Sequence, residues 1–424
     1  MKKTPKHIAI VVNYFPTVSE TFIVNQINSL LEAGLHVSLY AYNQVNLSVI
    51  HDSFSRYQLL DKVHYFIKPP VSKCARFGSF LQWTFKNIKD IKWSLYFRTL
   101  NFFKYGKDAY TLKLFFESQW FLVTHKTDLI HAHFGMVGNR VAYLKAQQIL
   151  PDSVALITTF HGYDLAPNKL LKYKKNYRYL FAKGNAFTVN TPYLEGLLQQ
   201  VLENKKPCYI LPVGLDTRFF RRESIIKETK NTSFNLVFCG KLIRLKGPDL
   251  AILIVKALHD LGYTETHLHI IGDGVLFSAL QQQIVDLQLE AFVTLYGKQT
   301  QEQIKNIFAA SDVFVLPGRI EEKTGRAETQ GLVIQEAQAM TLPVIVSNVG
   351  GMKYGLLPNQ SGFVVQEEDV AGFAAAIEKI ILNPSLKKTM GEKGKEFVAQ
   401  YDNVILLEKL LYIYKEILSD HKNE

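Results

Sequence analysis

The chain has 424 residues, of which 47% are hydrophobic, and a formal net charge of +11. Its length is sufficient for two domains of roughly 150 residues or more, each with a full core. Three widely spaced cysteines, Cys74, Cys208 and Cys239, predict neither a disulfide framework nor a metal site, and they fit a reducing cytoplasm. No stretch of about 20 apolar residues occurs, so no membrane-spanning helix is predicted.

The charge is unevenly distributed along the chain. Residues 1–210 contain 26 Lys and Arg against 12 Asp and Glu, whereas residues 211–424 contain 23 against 26. A front half with this excess favours an anionic partner. The apolar run IAIVV near the N-terminus is too short for the core of a signal peptide and instead predicts a first strand.

Short apolar runs alternate with helical patterns from one end of the chain to the other. Each run is followed by a polar or glycine-bearing turn, which is typical of parallel strands covered on both faces. The predicted strands are IAIVVN, HVSLYAY, KVHYFI, DLIHAHF, ALITTFHG and AFTVN in the front half, and NLVFCG, HLHIIGDG, VTLYG, VFVLPG, PVIVSN and GFVVQ in the back half. This alternation predicts an α/β fold with two doubly wound, Rossmann-like domains that face each other across a cleft.

The domain limits follow from a change in composition. Residues 205–222 contain two prolines, a glycine and paired arginines, which is typical of a linker. We therefore assign residues 1–207 to the first domain and residues 208–403 to the second. Residues 404–424 are set apart because their apolar periodicity predicts a last helix. That helix either closes the second domain or crosses back onto the first.

The first strand is followed by residues 17–20 (TVSE), a capping-box pattern ahead of the predicted helix TFIVNQINSLLEAG. Ligands of open parallel sheets bind at the carboxyl ends of the strands, so this loop should also overhang the cleft. Ser19, Glu20 and Thr21 are therefore assigned to the acceptor side of the predicted site.

Two segments, 77–110 and 168–184, combine aromatic side chains with many lysines and arginines. This composition suggests a surface that lies on anionic lipid. An RNA-binding surface has a similar sequence, and so have ordinary solvated helix faces over a core.

Histidines occur near the ends of two neighbouring predicted strands. His131 and His133 alternate along one strand, so both imidazoles should lie on one face, without a third metal ligand near them in sequence. The next strand ends in TTFHGYD, which places His161 at its carboxyl end. His161 could donate to a phosphate or to a sugar hydroxyl, or it could be a turn residue.

The strand NLVFCG leads into Gly240, Lys241 and Lys246 at the entrance of a helix. Lysine ammonium groups and the free amides of a helix N-terminus suit a diphosphate, although a solvated turn has the same pattern. The later Gly-Asp-Gly turn at residues 272–274 does not complete a dinucleotide fingerprint, because Phe277 occupies the place of the third glycine.

The stretch 325–351, GRAETQGLVIQEAQAMTLPVIVSNVGG, contains the most informative pattern. Its periodicity predicts a helix that begins near Leu332 and carries Glu336 on its inward face. The predicted inward stripe is Leu332, Val333, Ala337 and Met340. A carboxylate on such a stripe is costly unless something bonds to it, and the paired hydroxyls of a ligand would do so.

Glu328 precedes this helix, and Gly350 and Gly351 follow the next strand. Glycines leave backbone amides free to approach an anion. Hydroxyl acceptors beside a phosphate cradle indicate a nucleotide sugar as the ligand. The interpretation requires that Glu328 and Glu336 face the groove and have no internal partners.

These residues resemble the GT-B-fold, family 4 retaining glycosyltransferases over nearly the whole chain. The similarity is strongest in ETQGLVIQEAQAMTLPVIVSNVGG, CGKLIRLKGPDLAI and ITTFHGYDL. The opening FPTVSETFIVNQI and the segment DLIHAHFG resemble the branch that builds bacterial exopolysaccharide, capsule or lipopolysaccharide outer core.

The resemblance implies a role for each candidate. Glu328 would approach the hydroxyls of the donor sugar, Glu336 would hold the ribose hydroxyls, and His161 would contact the transferring sugar from the other domain. His161 and Glu328 are thus the candidate catalytic residues. The donor diphosphate would be bound by Gly240, Lys241, Lys246, Gly350 and Gly351. No cofactor and no metal ion are expected, because the nucleotide diphosphate sugar is itself the co-substrate.

The chain departs from the family pattern at four positions. Lys241 stands where arginine is usual, and it keeps the charge but loses the bidentate fork. Thr329 replaces a glycine and Val213 an asparagine. Tyr354 replaces a carboxylate, which points to an altered donor choice or to weakened catalysis.

The expected function is transfer of a hexose from a nucleotide diphosphate sugar to a lipid-linked or oligosaccharide acceptor in surface polysaccharide synthesis. The alternatives are a nucleotide-sugar 2-epimerase of the same fold and a catalytically silent, transferase-like binding subunit. Nucleic acid is not expected as a partner. We expect a cytoplasmic protein, and peripheral association with the anionic inner face of the cytoplasmic membrane is a separate prediction.

Overall fold

The computed structural model describes residues 5–17, 20–45, 57–123, 126–203, 205–222 and 233–420. These residues form two parallel sheets, and the first has seven strands in the order β3-β2-β1-β4-β5-β6-β7. Its strands are β1 (His7–Phe15), β2 (His36–Gln44), β3 (Val63–Tyr65), β4 (Leu129–His133), β5 (Ala155–Phe160), β6 (Ala186–Val189) and β7 (Cys208–Ile210).

The second sheet has six strands in the order β10-β9-β8-β11-β12-β13. Its strands are β8 (Phe234–Cys239), β9 (Thr266–Ile271), β10 (Val293–Gly297), β11 (Val313–Leu316), β12 (Val344–Ser347) and β13 (Gly362–Val365). All strand pairs in both sheets are parallel. The predicted α/β architecture with two doubly wound sheets is confirmed.

All twelve apolar runs predicted from the sequence form strands, but the edge strand β7 was not predicted. It spans three half-buried residues between two prolines, so it lacks the long apolar run that marks the other strands. Cys208–Ile210 belongs to the first sheet, whereas sequence analysis placed the domain boundary directly before it.

Helices cover both faces of each sheet. Those that follow strands of the first sheet are α1 (Thr21–Glu32), α2 (Leu59–Lys62), α3 (Lys73–Asn87), α4 (Trp93–Thr99), α5 (Phe102–Tyr105), α6 (Lys107–Tyr110), α7 (Lys113–Val123), α8 (Gly135–Ala146), α9 (Leu170–Asn176), α10 (Arg178–Lys183) and α11 (Pro192–Gln199). Those of the second unit are α12 (Pro248–Asp260), α13 (Phe277–Asp286), α14 (Gln301–Ala309), α15 (Leu332–Ala339), α16 (Val370–Ile381) and α17 (Pro384–Val398), and the chain ends with α18 (Asn403–Asp420).

The central strands are apolar throughout because both of their faces are buried. Every residue of β5 and of β11 is buried, and the core of the second unit is continuous from β8 to α17. Each fully buried Val, Leu, Ile or Phe side chain contributes about 1.5–3 kcal/mol relative to an exposed one. The sheets therefore form rigid platforms, and the loops at their carboxyl ends are held in place.

The strand order reverses between β1 and β4 in the first sheet and between β8 and β11 in the second. A crevice forms at such a switch point, because the loops that follow the two adjacent strands lead to opposite sides of the sheet. The loops after β1, β4, β5, β8 and β11 are thus the ones placed to bind a ligand between the units.

Helix α18 crosses back to the first unit, which decides between the two alternatives left open by the sequence. Leu410, Ile413, Tyr414 and Ile417 pack into the core formed by β1, β2 and α1. Before this helix, the chain runs beside the linker, where the Leu215 amide donates to the Tyr401 carbonyl (3.0 Å). Two chain crossings therefore join the units.

The predicted capping box at residues 17–20 is wrong. Helix α1 begins at Thr21, and its N-cap residue Glu20 makes no side-chain capping hydrogen bond. The Glu20 carboxylate instead accepts a hydrogen bond from Thr17, and burial raises its pKa above the usual value.

Within the described ranges, the helices are all too short or too polar to cross a bilayer.

Candidate functional site between the two sheets

Glu328 and Lys246 form an ion pair at the carboxyl end of the second sheet. Lys246 lies in the turn between β8 and α12, and Glu328 lies in the long loop after β11. The Glu328 carboxylate also accepts from the amides of Thr329 and Gly331 (3.1 Å each). Burial opposes ionisation, but the ammonium and the amides prevail and hold the pKa of Glu328 below its usual value.

The expectation that Glu328 lacks internal partners is therefore contradicted. The carboxylate is mostly buried and is already bonded to Lys246 and two amides. The loop after β11 and the turn after β8 are adjacent because their strands are neighbours in the sheet. A ligand with hydroxyl groups would have to share these bonds or replace them.

Gly350 and Gly351 lie against the Glu328 loop. A side-chain Cβ at Gly350 would lie 2.2 Å from the Glu328 carbonyl oxygen, and one at Gly351 would lie 1.8 Å from the Thr329 carbonyl oxygen. The Gly351 amide donates to the Glu328 carbonyl (2.8 Å), so it is not free for a phosphate as was predicted. The Gly350 amide has no such bond among the described residues and stays a candidate donor.

The turn after β8 is shaped by close backbone approaches. Gly247 adopts φ +73°, and a Cβ there would lie 1.9 Å from the Pro317 carbonyl oxygen. Gly240 lies beside the aliphatic part of the Lys246 side chain. A Cβ at Gly240 would lie 3.8 Å from Cδ of Lys246. Lys241, which was also predicted to bind the diphosphate, is exposed in this turn.

Glu336 lies on α15, but the predicted inward stripe of this helix is partly wrong. The buried face consists of Ile334, Gln335, Ala337, Gln338 and Ala339, whereas Leu332, Val333 and Glu336 are only partly buried. The helix has eight residues, slightly more than two turns at about 3.6 residues per turn. On its buried face, the side-chain amide of Gln338 donates to the Gly355 carbonyl (2.7 Å). The pattern of apolar residues alone therefore predicted the wrong buried face for α15.

The Glu336 carboxylate is uncommitted. It accepts no hydrogen bond from any residue that the structure describes, and partial burial raises its pKa to about 7. Glu336 and Lys246 both lie close enough to the buried Cys239 thiol to act on its pKa, which burial raises. The turn after β8 thus lies beside α15, and Glu336 fulfils the expectation that Glu328 does not.

His161 approaches this loop from the first unit. Its carbonyl accepts from the Thr329 hydroxyl (3.1 Å), directly after Glu328 in the chain. The imidazole contacts the rings of Phe22 and Phe134 at centroid distances of 4.8 and 4.7 Å. Burial and the neighbouring His133 lower its pKa well below the usual range, so the ring is neutral at pH 7.

Asp164 holds the turn that carries His161. Its carboxylate accepts from the amides of Gly135 (2.7 Å), His161 and Gly162 (3.1 Å each). Burial raises its pKa to about 6 even though these three donors favour the ionised form. Asp164 therefore connects the loop after β5 to the first turn of α8 and fixes the backbone around His161.

Thr329 lies where the two units contact each other beside the cleft, a region that we term the seam. Its hydroxyl accepts from the Asn190 side chain (3.1 Å), and its carbonyl accepts from the Thr191 hydroxyl (2.8 Å). A Cβ at Gly162 would lie 2.1 Å from the Thr329 methyl group. The threonine that replaces the usual glycine is thus the residue that joins the units beside Glu328.

Further contacts extend this seam. The side chain of Gln330 pairs with both backbone groups of Val213 in the linker, at 2.7 and 2.9 Å. The Asn168 amide donates to the Thr324 carbonyl (3.1 Å), and the Arg326 guanidinium lies 5.0 Å from the centre of the Tyr163 ring. These seam residues were not predicted from the sequence, because their pairing depends on how the two units meet.

The assigned acceptor-side residues are only partly brought to this region. Ser19 lies outside the described residues, and Glu20 is turned toward Thr17. Thr21 lines an interdomain cavity of about 520 Å³, and Glu336 lines the same cavity. Its volume is within the range of small-molecule sites. His161 lines a smaller, apolar cavity of about 60 Å³ beside it, and Phe22 belongs to both.

Tyr354 is the last of the four departures from the expected pattern. Tyr354 is partly exposed in the turn after Gly351, where its amide donates to the Gly351 carbonyl (3.1 Å) and its carbonyl accepts from Tyr401 (3.2 Å).

Across the described part of the chain, no group of three or more His, Cys, Asp or Glu side chains has an arrangement that could hold a metal ion.

Residues 218–397 match the protein family described as glycosyl transferases group 1. This part of the chain is a group 1 glycosyl transferase domain. It contains Lys246, Glu328, Glu336 and the turn at Gly350, the donor-side candidates predicted from the sequence. The predicted enzyme class, a glycosyltransferase, is thereby confirmed. The assignment rests on this match and not on two unpartnered carboxylates, because Glu328 is paired.

The glycosyltransferase is similar in sequence to known relatives over most of its length. It is 26% identical over 363 residues to the putative colanic acid biosynthesis glycosyltransferase WcaL of Escherichia coli K12, covering 85% of this chain and 87% of WcaL. It is 26% identical over 371 residues to the amylovoran biosynthesis glycosyltransferase AmsK of Erwinia amylovora, covering 86% and 88%. Both relatives therefore match the first unit as well as the group 1 domain.

The fold is also similar to solved structures. The crystal structure of Anabaena Alr3699/HepE in complex with UDP has a TM-score of 0.71 at 13% identity, and the match covers 97% of this chain and 100% of that chain. At this identity the likeness concerns the fold, and it confirms the predicted GT-B architecture of the glycosyltransferase.

Proposed function

We propose that the protein is a retaining, family 4 hexosyltransferase that uses a nucleotide diphosphate sugar as donor. The acceptor is a lipid-linked sugar or an oligosaccharide in the synthesis of a surface polysaccharide. The names of WcaL and AmsK, which refer to colanic acid and amylovoran biosynthesis, support this pathway class. The observation that carries the proposal is the convergence of Lys246, Glu328 and Gly350 at the switch point of the second sheet, with His161 opposite them.

The proposed donor site assigns the diphosphate to Lys246, Lys241 and the amide of Gly350. An ammonium group has three donor hydrogens, and Glu328 uses one side of Lys246, so the group can hold a phosphate oxygen as well. As the glycosidic bond breaks, negative charge builds on the diphosphate. Each well-placed donor can then stabilise the transition state by about 3 kcal/mol.

The proposed sugar and ribose contacts use the two glutamates differently. Glu336 is the uncommitted acceptor, and in its ionised form it can accept hydrogen bonds from both ribose hydroxyls. Glu328 is held ionised by Lys246 and would accept from a hydroxyl of the transferring hexose. His161 would contact the same hexose from the first unit.

We further propose that the reaction needs no metal ion, because the two lysines supply positive charge at the diphosphate. Turnover should be unchanged in excess EDTA. A loss of activity that Mg²⁺ or Mn²⁺ restores would contradict this part of the proposal.

The donor and the acceptor can be tested in one experiment. Thermal shift with a panel of UDP, GDP and ADP sugars identifies the donor, since a ligand that binds the native state stabilises it. Nucleotide release is then measured with donor and native acceptor for the wild type, Glu336→Ala and the control Glu290→Ala, whose side chain is exposed in the turn between α13 and β10. We expect release to fall at least tenfold for Glu336→Ala, by the loss of charge-assisted hydrogen bonds worth about 1.5–3 kcal/mol.

The other outcomes separate the alternatives. Conversion of donor alone, without acceptor, would indicate an epimerase. No stabilisation by any nucleotide sugar would indicate a silent binding subunit. Unchanged turnover of Glu336→Ala would remove the ribose assignment, and inversion at the anomeric carbon of the product would contradict the retaining stereochemistry.

We also propose that the first unit associates peripherally with anionic membrane through helices α3 to α6. The inner faces of these helices bury Phe80, Trp83 and Tyr96 against Phe115 of α7. Their outer faces form what we term the aromatic–basic surface. Its exposed apolar residues are Phe77, Leu81, Phe85, Ile88, Trp93, Phe97, Phe102, Phe103 and Tyr110.

The charge of this surface matches an anionic bilayer. Residues 71–113 contain nine lysines and arginines against two aspartates. Aromatic side chains enter the interface while cations attract the head groups, at about 1 kcal/mol per Lys or Arg near the surface. The segment 168–184, also predicted as a lipid surface, differs, because Tyr177 and Phe181 are buried in the core.

Vesicle binding tests this surface. The wild type should bind vesicles of phosphatidylglycerol and phosphatidylcholine in low salt and be released in high salt. Phe77→Ser/Phe85→Ser/Phe97→Ser/Phe103→Ser should lose most of this binding. The control Val275→Ser/Leu382→Ser removes exposed apolar residues from the second unit and should bind as the wild type does. Equal binding to pure phosphatidylcholine, or by the quadruple variant, would contradict the proposal.

A further inference from the structure

Three imidazoles are stacked in the first unit, and His161 is the last of them. The rings of His131 and His133 lie 4.6 Å apart at 16°, and those of His133 and His161 lie 5.4 Å apart at 17°. Strand alternation places the first two on one face of β4, as predicted, and the neighbouring β5 brings His161 next to them. The stack leads from the interior of the unit to the proposed sugar site.

His131 anchors the stack. Its Nε2 lies 2.6 Å from the Thr159 hydroxyl, and its Nδ1 lies 2.6 Å from the Tyr414 hydroxyl of α18 and 3.2 Å from the Gln26 amide nitrogen. Because the Gln26 amide nitrogen can only donate, Nδ1 of His131 is the acceptor and Nε2 carries the proton. The first ring is therefore fixed in orientation and in tautomer.

His133 makes one ring hydrogen bond, from Nδ1 to Nε2 of His161 (3.1 Å). It is completely buried, and its other nitrogen, Nε2, has no partner among the described residues. Burial lowers the pKa of His133 to about 3, and the pKa of His161 is lowered as well, so each ring is neutral and carries one N–H proton. One nitrogen of the pair donates and the other accepts.

The burial of His133 Nε2 decides the direction of this bond. If His161 donated, the His133 proton would sit on Nε2, and a buried N–H would be left without an acceptor. Orphaned buried N–H groups are rarer than unpaired acceptors. The favoured arrangement has His133 Nδ1–H donating to His161 Nε2. The proton of His161 then resides on Nδ1, which has no protein partner in the described part of the chain.

We propose that His133 is a positioning residue that holds His161 in the tautomer with an Nδ1–H donor for an oxygen of the transferred sugar. The inference rests on the proposed contact between His161 and the donor hexose. His133 itself touches no substrate. It acts by fixing which atom of His161 can donate and by stacking on the ring from within the core.

Substitution of His133 by Asn or by Gln distinguishes the roles of its two ring nitrogens. The side-chain nitrogen of His133→Asn can reach the place of Nδ1, whereas that of His133→Gln reaches the place of Nε2. We expect His133→Asn to keep kcat/KM within about threefold, and His133→Gln and His133→Phe to lose about tenfold, the equivalent of one neutral hydrogen bond. Affinity for the nucleoside diphosphate alone should not change.

The double variant His133→Phe/His161→Ala tests whether one residue acts through the other. Its kcat/KM should equal that of His161→Ala, because two residues in one pathway are not additive. Losses that multiply would overturn the proposal. An unchanged kcat/KM in His161→Ala would instead contradict the proposed function of His161.

Histidine side-chain ¹⁵N spectra of the wild-type protein give a readout that needs no activity. His161 should carry its proton on Nδ1 in the wild type and in His133→Asn, and a mixture of tautomers should appear in His133→Phe. A wild-type His161 that is protonated on Nε2 would overturn the inference even if every variant failed to fold.

Discussion

Glu328 and Glu336 belong to one short segment, and their surroundings give them opposite ionisation behaviour. Glu328 is paired with Lys246 and bonded to two amides, so its pKa is held below the usual value. Glu336 has no partner in the described part of the chain, so desolvation raises its pKa to about 7. At neutral pH the first is a fixed anion, while the second is divided between its acid and its carboxylate.

Burying the ionised carboxylate of Glu336 costs stability, and a substitution that removes the charge should therefore stabilise the protein in a pH-dependent way. The folded-state pKa of about 7 exceeds the usual 4.5, so the native state binds the proton more tightly and loses stability as pH rises from 4.5 to 7. Glu336→Gln removes that loss. We expect it to be more stable than the wild type at pH 8 by on the order of 1–3 kcal/mol, and nearly equal at pH 5.

Urea unfolding at the two pH values measures this difference, with Glu290→Gln as the exposed control. The same gain at pH 5 and pH 8 would show that the carboxylate is not the source. Ribose binding needs the ionised form, so donor affinity of the wild type should rise as pH passes through 7.

At the scale of elements, the turn between β8 and α12 depends on close backbone contact. Gly247 is the N-cap of α12 at φ +73°, and it approaches the carbonyl of Pro317 at the end of β11. The turn therefore sets both the start of the helix and the position of Lys246. Gly297 at the end of β10 has a similar φ of +67°, but a Cβ there would have no heavy atom within 4 Å.

The two glycines form a matched pair for mutation. Gly297→Ala should cost only the left-handed backbone strain, about 1–2 kcal/mol. Gly247→Ala adds a clash with backbone atoms that cannot rotate away, so we expect a total loss of about 3 kcal/mol or more and weaker nucleotide binding. Urea unfolding and thermal shift with the donor measure both effects, and equal losses would show that the approach to Pro317 is unimportant.

At the scale of the whole molecule, the two units are joined by α18, by the linker and by the seam around Thr329. Helix α18 contributes Tyr414 to the core of the first unit and contacts the histidine stack. The seam places His161 beside the residue that follows Glu328. Any opening of the cleft must therefore break the Thr329 contacts while the two crossings stay in place.

Thr329→Gly should loosen the seam, because it removes both hydrogen bonds of the hydroxyl. We expect a loss of about 1–3 kcal/mol in unfolding free energy and a larger radius of gyration in solution scattering. Thr329→Ser keeps the hydroxyl and should stay close to the wild type. If the glycine and serine variants scatter alike, the hydroxyl does not hold the units together.

Sequence reasoning was most successful where the physical cause is local. The twelve predicted strands follow from apolar runs that are buried on both faces, and the pair His131–His133 follows from strand alternation. It failed for β7, whose three residues give no periodic signal, and for the inward face of α15, where buried glutamines replaced apolar residues. It also failed for the capping box, since the N-cap of α1 lies at Glu20.

The sequence by itself determined the two parallel sheets, the glycosyltransferase class and the segments that carry the donor-side candidates. Only the tertiary structure decided which of these side chains are partnered. Lys246 and Glu328 are 82 residues apart, and His161 and Thr329 are 168 apart. Periodicity reports burial over one or two turns of chain, whereas the ionisation of a carboxylate or the tautomer of an imidazole depends on neighbours that folding brings from distant parts of the chain.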